Sequence, residues 1–134
     1  MKGLLIRVGI DQTYGNWNAP VDPDTREFVY VPIPEGQQQG TEMETTYRAH
    51  LSALESFCKT RKLDLTRDLG FPIKLHALAT HHDPDFENMT YGDVDSARSA
   101  STLNMQSGDI IAFYAGLKPV KLCEHKLLYA IVGL

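Results

Sequence analysis

Apolar and polar positions change their spacing several times along this chain, and each change predicts an element. Gly3 to Val8 (GLLIRV) is a short run of branched apolar residues closed by Gly9, the pattern of a buried strand. Glu27 to Ile33 (EFVYVPI) alternates weakly and is rich in β-formers, with Pro32 placing it at an edge or an end. Apolar residues then recur at Met43, Tyr47, Leu51, Leu54 and Cys58, one face of an α-helix. Thr41 and Glu44 form a capping box at its start, and Lys59, Arg61 and Lys62 suit the negative end of its dipole, so the helix is expected from Glu42 to about Arg61.

Ile73 to Ala79 alternates again, which predicts a strand with Ile73, Leu75, Ala77 and Ala79 on one face. Asp93 can cap a short helix over Val94 to about Leu103, with Val94, Ala97, Ala100 or Ser101, and Leu103 turned inward. Ile110 to Ala115 is nearly all apolar, as in a buried strand. Lys126 to Val132 should pair with it, antiparallel, across a hairpin-length connector. The expected fold is α+β: a mixed, mostly antiparallel sheet of about five strands, curled into a partial barrel and packed on the 42–61 helix. At 134 residues the chain is one domain, 1–134. It stops directly after a predicted strand, so a C-terminal extension is expected to complete the sheet.

Between the first two strands lies GIDQTYGNWNAPVDPDT, residues 9–25, dense in turn formers. A loop of this length in a small domain is more often functional than idle. It carries Asp11, Tyr14, Asn18 and the only tryptophan, Trp17. Either Trp17 plugs the core, or the loop faces a ligand. The second polar stretch is HHDPDFENMTYGD, residues 81–93, followed by Arg98. Its Phe86 and Tyr91 are interleaved with carboxylates, an amide and a hydroxyl, a mixture suited to stacking a flat ring and bonding its edges. The alternative is a structured loop with both aromatics in the core.

Charge and chemistry narrow the choices. A net charge of −4 argues against a protein held on duplex nucleic acid mainly by phosphate contacts. Cys58 and Cys123 are far apart and form no CxxC pair, which excludes a zinc ribbon or redox motif and leaves buried free thiols. No apolar run approaches the ~20 residues of a membrane span, and cytoplasmic is the default location. His81, His82, Asp83 and Asp85 are of metal-ligand type, with His76, Asp93 or Asp109 as further donors. Their spacing follows no ligand pattern and Pro84 favours a turn, so no metal and no cofactor are expected. No nucleophile elbow, GxxxxGK[ST] or GxGxxG is present, so nothing marks covalent or triphosphate chemistry.

The blocks RVGIDQTYGNWNAP, YVPIPE, HHDPDFENMTYGD, GDIIAFYAGL and LLYAIVGL, in that order, resemble the third class of nucleotide modification associated domains. The resemblance covers nearly the whole chain. It implies a place in DNA base-modification systems, beside a modification enzyme, and a chain that runs on past the equivalent of Leu134. A second similarity covers the C-terminal third: GDIIAFY followed by AIVG is similar to the EVE and PUA-like domains, small pseudobarrels that hold RNA or a flipped base. It implies stacking roles for Tyr14, Trp17, Tyr91 and Tyr114, and edge-reading by Asp93 or Asn18. The expected ligand-binding set is Asp11, Tyr14, Trp17, Asn18, His82, Asp85, Tyr91, Asp93, Arg98 and Tyr114, with nucleic acid or a nucleotide as partner. The expected function is recognition of a modified or flipped base in DNA modification or defence. The alternatives are a metal-dependent or acid–base enzyme acting on a nucleotide, and a scaffold subunit of a modification complex.

Overall fold

The computed structural model describes residues 1–35, 45–81, 84–92 and 99–134. In chain order its elements are β1 (Gly3–Arg7), β2 (Pro20–Val21), β3 (Thr45–Thr46), α1 (Arg48–Arg61), a 3-10 helix over Ile73–Ala77, β4 (Ala79–Thr80), the short α2 (Ser99–Leu103), β5 (Ile110–Pro119) and β6 (Leu128–Gly133). No helix among the described residues is long and apolar enough to cross a membrane.

The sheet is built on β5. Its odd positions Phe113, Ala115 and Leu117 are buried, while Ile110 and Lys118 are exposed, so one face meets the core and the other meets solvent. β1 lies parallel to the first half of β5, from Gly3 opposite Ile110 to Arg7 opposite Tyr114. β2 lies parallel to its end, Pro20 opposite Lys118. The Val8 N–H donates to the Tyr114 carbonyl, and the Lys118 N–H donates to the Ala19 carbonyl. Backbone groups alternate sides along a strand, so Tyr114 and Lys118 address the same edge. β2 therefore resumes that edge where β1 leaves it. On the opposite edge β6 runs antiparallel, Leu128 opposite Leu117.

This arrangement corrects the expected architecture. Two of the three pairings to β5 are parallel, not antiparallel, and the sheet is open, so there is no partial barrel and the likeness to EVE and PUA-like domains gains no support. The reason is non-local. β1 and β5 are separated by a hundred residues of chain, and an apolar run announces a strand without naming its neighbour or its direction. β1 is also an edge strand with exposed positions, not a buried one.

The helix differs too. α1 has 14 residues, beginning at Arg48 after the β3 pair. The capping-box residues Thr41 and Glu44 lie outside the described residues. Tyr47 occupies the N-cap without a side-chain capping bond, its hydroxyl donating instead to the Pro32 carbonyl, so packing holds this helix in place of a cap. A cap is worth ~1 kcal/mol, whereas burying one leucine is worth ~1.5–3 kcal/mol. Leu54 is fully buried, with Phe57 and Cys58 beside it. Burial first, then the carboxylates of Asp64 and Asp68, push the Cys58 thiol above its ordinary range, the state of an inert core sulfur. Cys123 is half-buried, and both thiols are free.

Two further expectations fail for local reasons. Ile73 to Ala77 is a 3-10 helix, started by the Leu75 N–H on the Pro72 carbonyl, and Ile73 is 68% exposed. Only Ala79–Thr80 is strand, paired with β3. Glu27 to Ile33 is extended but bonds piecemeal. Phe28 bridges Val21, and the Val31 carbonyl accepts from Ile10. Of the helix expected over 94–103, α2 is the part described, and Leu103 points out at 80% exposure.

An ionic cluster ties the end of α1 to the loop after β2. Arg61 Nε donates to Asp22 Oδ2 at 2.8 Å, its Nη2 reaches Glu27, and its guanidinium lies 3.8 Å over the Phe57 ring. Lys121 Nζ stands 3.4 Å from Asp22 Oδ1. Burial alone would raise the Asp22 pKa. The Asp24 N–H, Arg61 and Lys121 more than offset it and hold the carboxyl below its usual value. A lowered native pKa stabilises the fold at pH values above the unfolded pKa of ~3.9, and that stability is lost as pH falls through the native value. Acid unfolding followed by circular dichroism should therefore be steeper below about pH 4 for the wild type than for Asp22→Asn. Parallel acid limbs would rule out this role.

Candidate functional site

Residues Leu4 to Gly9 all line one cavity of about 680 Å³. Consecutive strand residues can do this only along an edge. The other edge of β1 is taken by β5, so the cavity lies on the free one. Even-numbered residues of β1 bond to β5, as the Lys2 carbonyl does to the Ile110 N–H. Leu5 and Arg7 therefore turn their N–H and C=O groups toward the cavity, and no strand among the described residues pairs with that edge. A free edge normally invites another hydrogen-bonding partner.

One wall is the loop after β1. Asp11 Oδ1 accepts the N–H groups of both Thr13 and Tyr14 at 2.8 Å, an Asx turn that tightens the chain. Gly15 follows at φ +104, and a Cβ there would stand 2.6 Å from the Ile10 side chain, so the turn requires glycine. The result projects Tyr14, 50% exposed, at the cavity, beside Asp11 and Thr13. Asp11 Oδ2 lies 3.3 Å from Arg7 Nη2.

Further lining comes from the second polar stretch. The His81 N–H donates to the Ile33 carbonyl, and His81 Nδ1 lies 2.7 Å from Glu35 Oε2. Tyr91 packs on Phe113 at 5.3 Å between centroids, and Phe86 does so at 5.7 Å. A side chain at Gly133 would collide with the Phe86 ring, so the last strand is bare where this segment seats. Tyr91 and Gly92 reach the cavity, and Ser101 and Thr102 of α2 close it. Tyr114, from the outer face of β5, stands at 5.8 Å from Tyr129 and lines it as well.

Of the expected set, the cavity thus brings together Asp11, Tyr14, Tyr91 and Tyr114. Trp17 and Asn18 are elsewhere. Trp17 is 4% exposed, donates its indole N–H to the Leu69 carbonyl at 2.8 Å, and meets Phe71 edge-on at 5.1 Å. Asn18 Nδ2 donates to the Gly116 carbonyl at 3.0 Å. That carbonyl falls in the gap between β1 and β2, and the amide completes the edge in place of a backbone N–H. Both residues border a separate cleft of about 60 Å³. Asp85 is used by its own turn: Oδ1 accepts from the Glu87 and Asn88 N–H groups, and Oδ2 from the Asn88 side chain.

His82, Asp83, Asp93 and Arg98 lie outside the described residues. Among the described residues no three His, Cys, Asp or Glu side chains gather as a metal site. His76 meets the Phe71 ring, and Asp109 accepts from the Lys2 and Gln106 N–H groups.

The cavity also uses residues outside the expected ligand-binding set: Arg7, Thr13, Ile33 and the peptide edge of β1. Arg7 carried one signal, since it is the lone charge inside an apolar strand. The free edge carried none.

Fold and cavity together define a small open-sheet domain with a ligand-sized cleft along a strand edge that no strand among the described residues pairs, lined by tyrosines. The chain belongs to the family described as nucleotide modification associated domain 3, which it matches over residues 2–134. That family is associated with nucleotide modification. No curated protein and no solved structure matches the chain.

Proposed function

We propose that this cavity recognises a nucleobase, modified or flipped from its strand, in support of modification chemistry carried out by another protein. The observation that carries the reading is the convergence of Tyr14, Tyr91 and Tyr114 on one cavity of about 680 Å³ with the edge of β1 that no strand among the described residues pairs. That volume lies within the ~300–1,000 Å³ typical of small-molecule pockets. Aromatic faces stack bases of any kind, and outward N–H and C=O groups can pair with a base edge. Flipping a base costs a few kcal/mol, and stacking returns ~1–3 kcal/mol per base. Such a site needs no basic surface, which agrees with the net charge of −4. The test is titration with oligonucleotides carrying plain and modified bases at two salt concentrations. Base-dependent affinity with a shallow salt dependence is expected. Equal affinity for every base, falling steeply with salt, would overturn the reading.

A second reading, an acid–base enzyme acting on a nucleotide, rests on the His81–Glu35 contact of 2.7 Å at the cavity wall. A carboxylate orienting an imidazole is the arrangement of many general bases. Turnover of nucleotides by the purified chain, abolished in His81→Ala, would favour it over recognition alone.

A further inference from the structure

The side chain of Arg7, unlike its peptide groups, has no part in the stacking or edge-pairing described above, yet it is the one lysine or arginine side chain among the described residues that line the cavity. Its seat is built. Gly116 lies beneath it on the outer face of β5, and a Cβ there would stand 2.9 Å from Arg7 Nη2. Asp11 holds the guanidinium from one side at 3.3 Å, longer than the ~2.7–2.9 Å of a tight charge-assisted bond. Asp11 is itself nearly buried and fixed by two backbone N–H groups through its other oxygen. The Arg7 side chain is 41% exposed. One edge of a rigid, planar cation is thus anchored, with most of its five N–H donors left over. That geometry matches a phosphate better than a point charge does.

We infer that Arg7, the one lysine or arginine among the described lining residues, is a phosphate contact of the cavity, so the site selects a nucleotide bearing one phosphate, as a monophosphate or a phosphodiester, over both the bare nucleoside and the triphosphate. This rests on the nucleotide reading proposed above. One cation can neutralise one phosphate group. The carboxylate of Asp11 beside it repels further anionic charge, and no second lysine or arginine among the described lining residues offsets that repulsion.

The probes are the four deoxynucleosides and their N6-methyladenine and 5-methylcytosine forms, each also as 5′-monophosphate, 5′-triphosphate and the central unit of a trinucleotide. Calorimetry on the whole chain should show the best-bound base gaining roughly 10- to 100-fold from one phosphate, as expected of a hydrogen bond to a charged group. The triphosphate should bind more weakly than the monophosphate. Preference between the monophosphate and the trinucleotide tells a free nucleotide from one within a strand, and either result fits a single contact. Arg7→Gln should abolish the gain from the phosphate, so that nucleoside and monophosphate bind the variant alike. Gly116→Ala, which keeps the arginine but takes away its seat, should do the same in part. Equal binding of nucleoside and monophosphate by the wild type, binding of the triphosphate as tight as that of the monophosphate or tighter, or an equal loss for every probe in Arg7→Gln would overturn the inference. In those cases nucleoside binding itself would persist. If no probe binds the wild type, the nucleotide reading fails and the inference falls with it.

Discussion

Replacing Tyr114 with alanine is expected to weaken binding of the preferred nucleoside by roughly 5- to 150-fold, the loss that follows removal of one stacking partner worth ~1–3 kcal/mol. Tyr114 sits at the middle of β5, between Arg7 on β1 and Ile131 on β6, and its side chain leaves the sheet on the solvent face. It contributes to the cavity rather than to the core cluster, so the variant should melt close to the wild type. Tyr114→Phe keeps the ring and should retain affinity within a few-fold. Calorimetric titration beside a thermal melt separates the outcomes. An alanine variant that is folded and binds as well as the wild type would exclude Tyr114 from the site.

Trp17→Ala should act in the opposite way, costing ~3–5 kcal/mol of stability with no change in nucleoside affinity for the protein that stays folded. Against a typical total of ~5–15 kcal/mol, this is enough to unfold a large fraction of a marginal domain. The cause is threefold. The indole is buried in the core cluster, its edge-on contact with Phe71 is lost, and the Leu69 carbonyl loses its donor. Urea unfolding followed by far-ultraviolet circular dichroism reads the effect without needing the tryptophan. Trp17→Phe keeps much of the burial and should cost less. A Trp17→Ala chain of unchanged stability that no longer binds would return Trp17 to the ligand wall.

The two tyrosine-bearing stretches were visible in the sequence because turn formers and aromatics are dense in them, and Tyr14 and Tyr91 do line the same cavity. Their neighbours show the limits of that signal. Trp17, three residues from Tyr14, faces the core, and Asp85, six residues from Tyr91, is consumed by its own turn. Composition identifies a polar, aromatic loop, but a single reversal of backbone direction decides which side chain faces a cavity. At Gly15 and Asn16 that reversal depends on positive φ values.

What the sequence determined alone is the buried pattern of a few elements. The spacing of Met43, Tyr47, Leu51, Leu54 and Cys58 announced the helix whose Leu54 and Cys58 are buried, the Ile110 to Ala115 run placed the first part of β5, and the Lys126 to Val132 run placed β6. The ordered motif blocks also placed the chain in its family. Only the tertiary structure decided that β1 and β2 share an edge of β5 in parallel, that the sheet stays open, and that the outer edge of β1 is left to a cavity. The reason is physical. Side-chain pattern records which face of an element avoids water, and it differs at every position. Strand pairing is made by N–H and C=O groups that nearly every residue carries alike, so the choice of neighbour belongs to the packing of the whole chain.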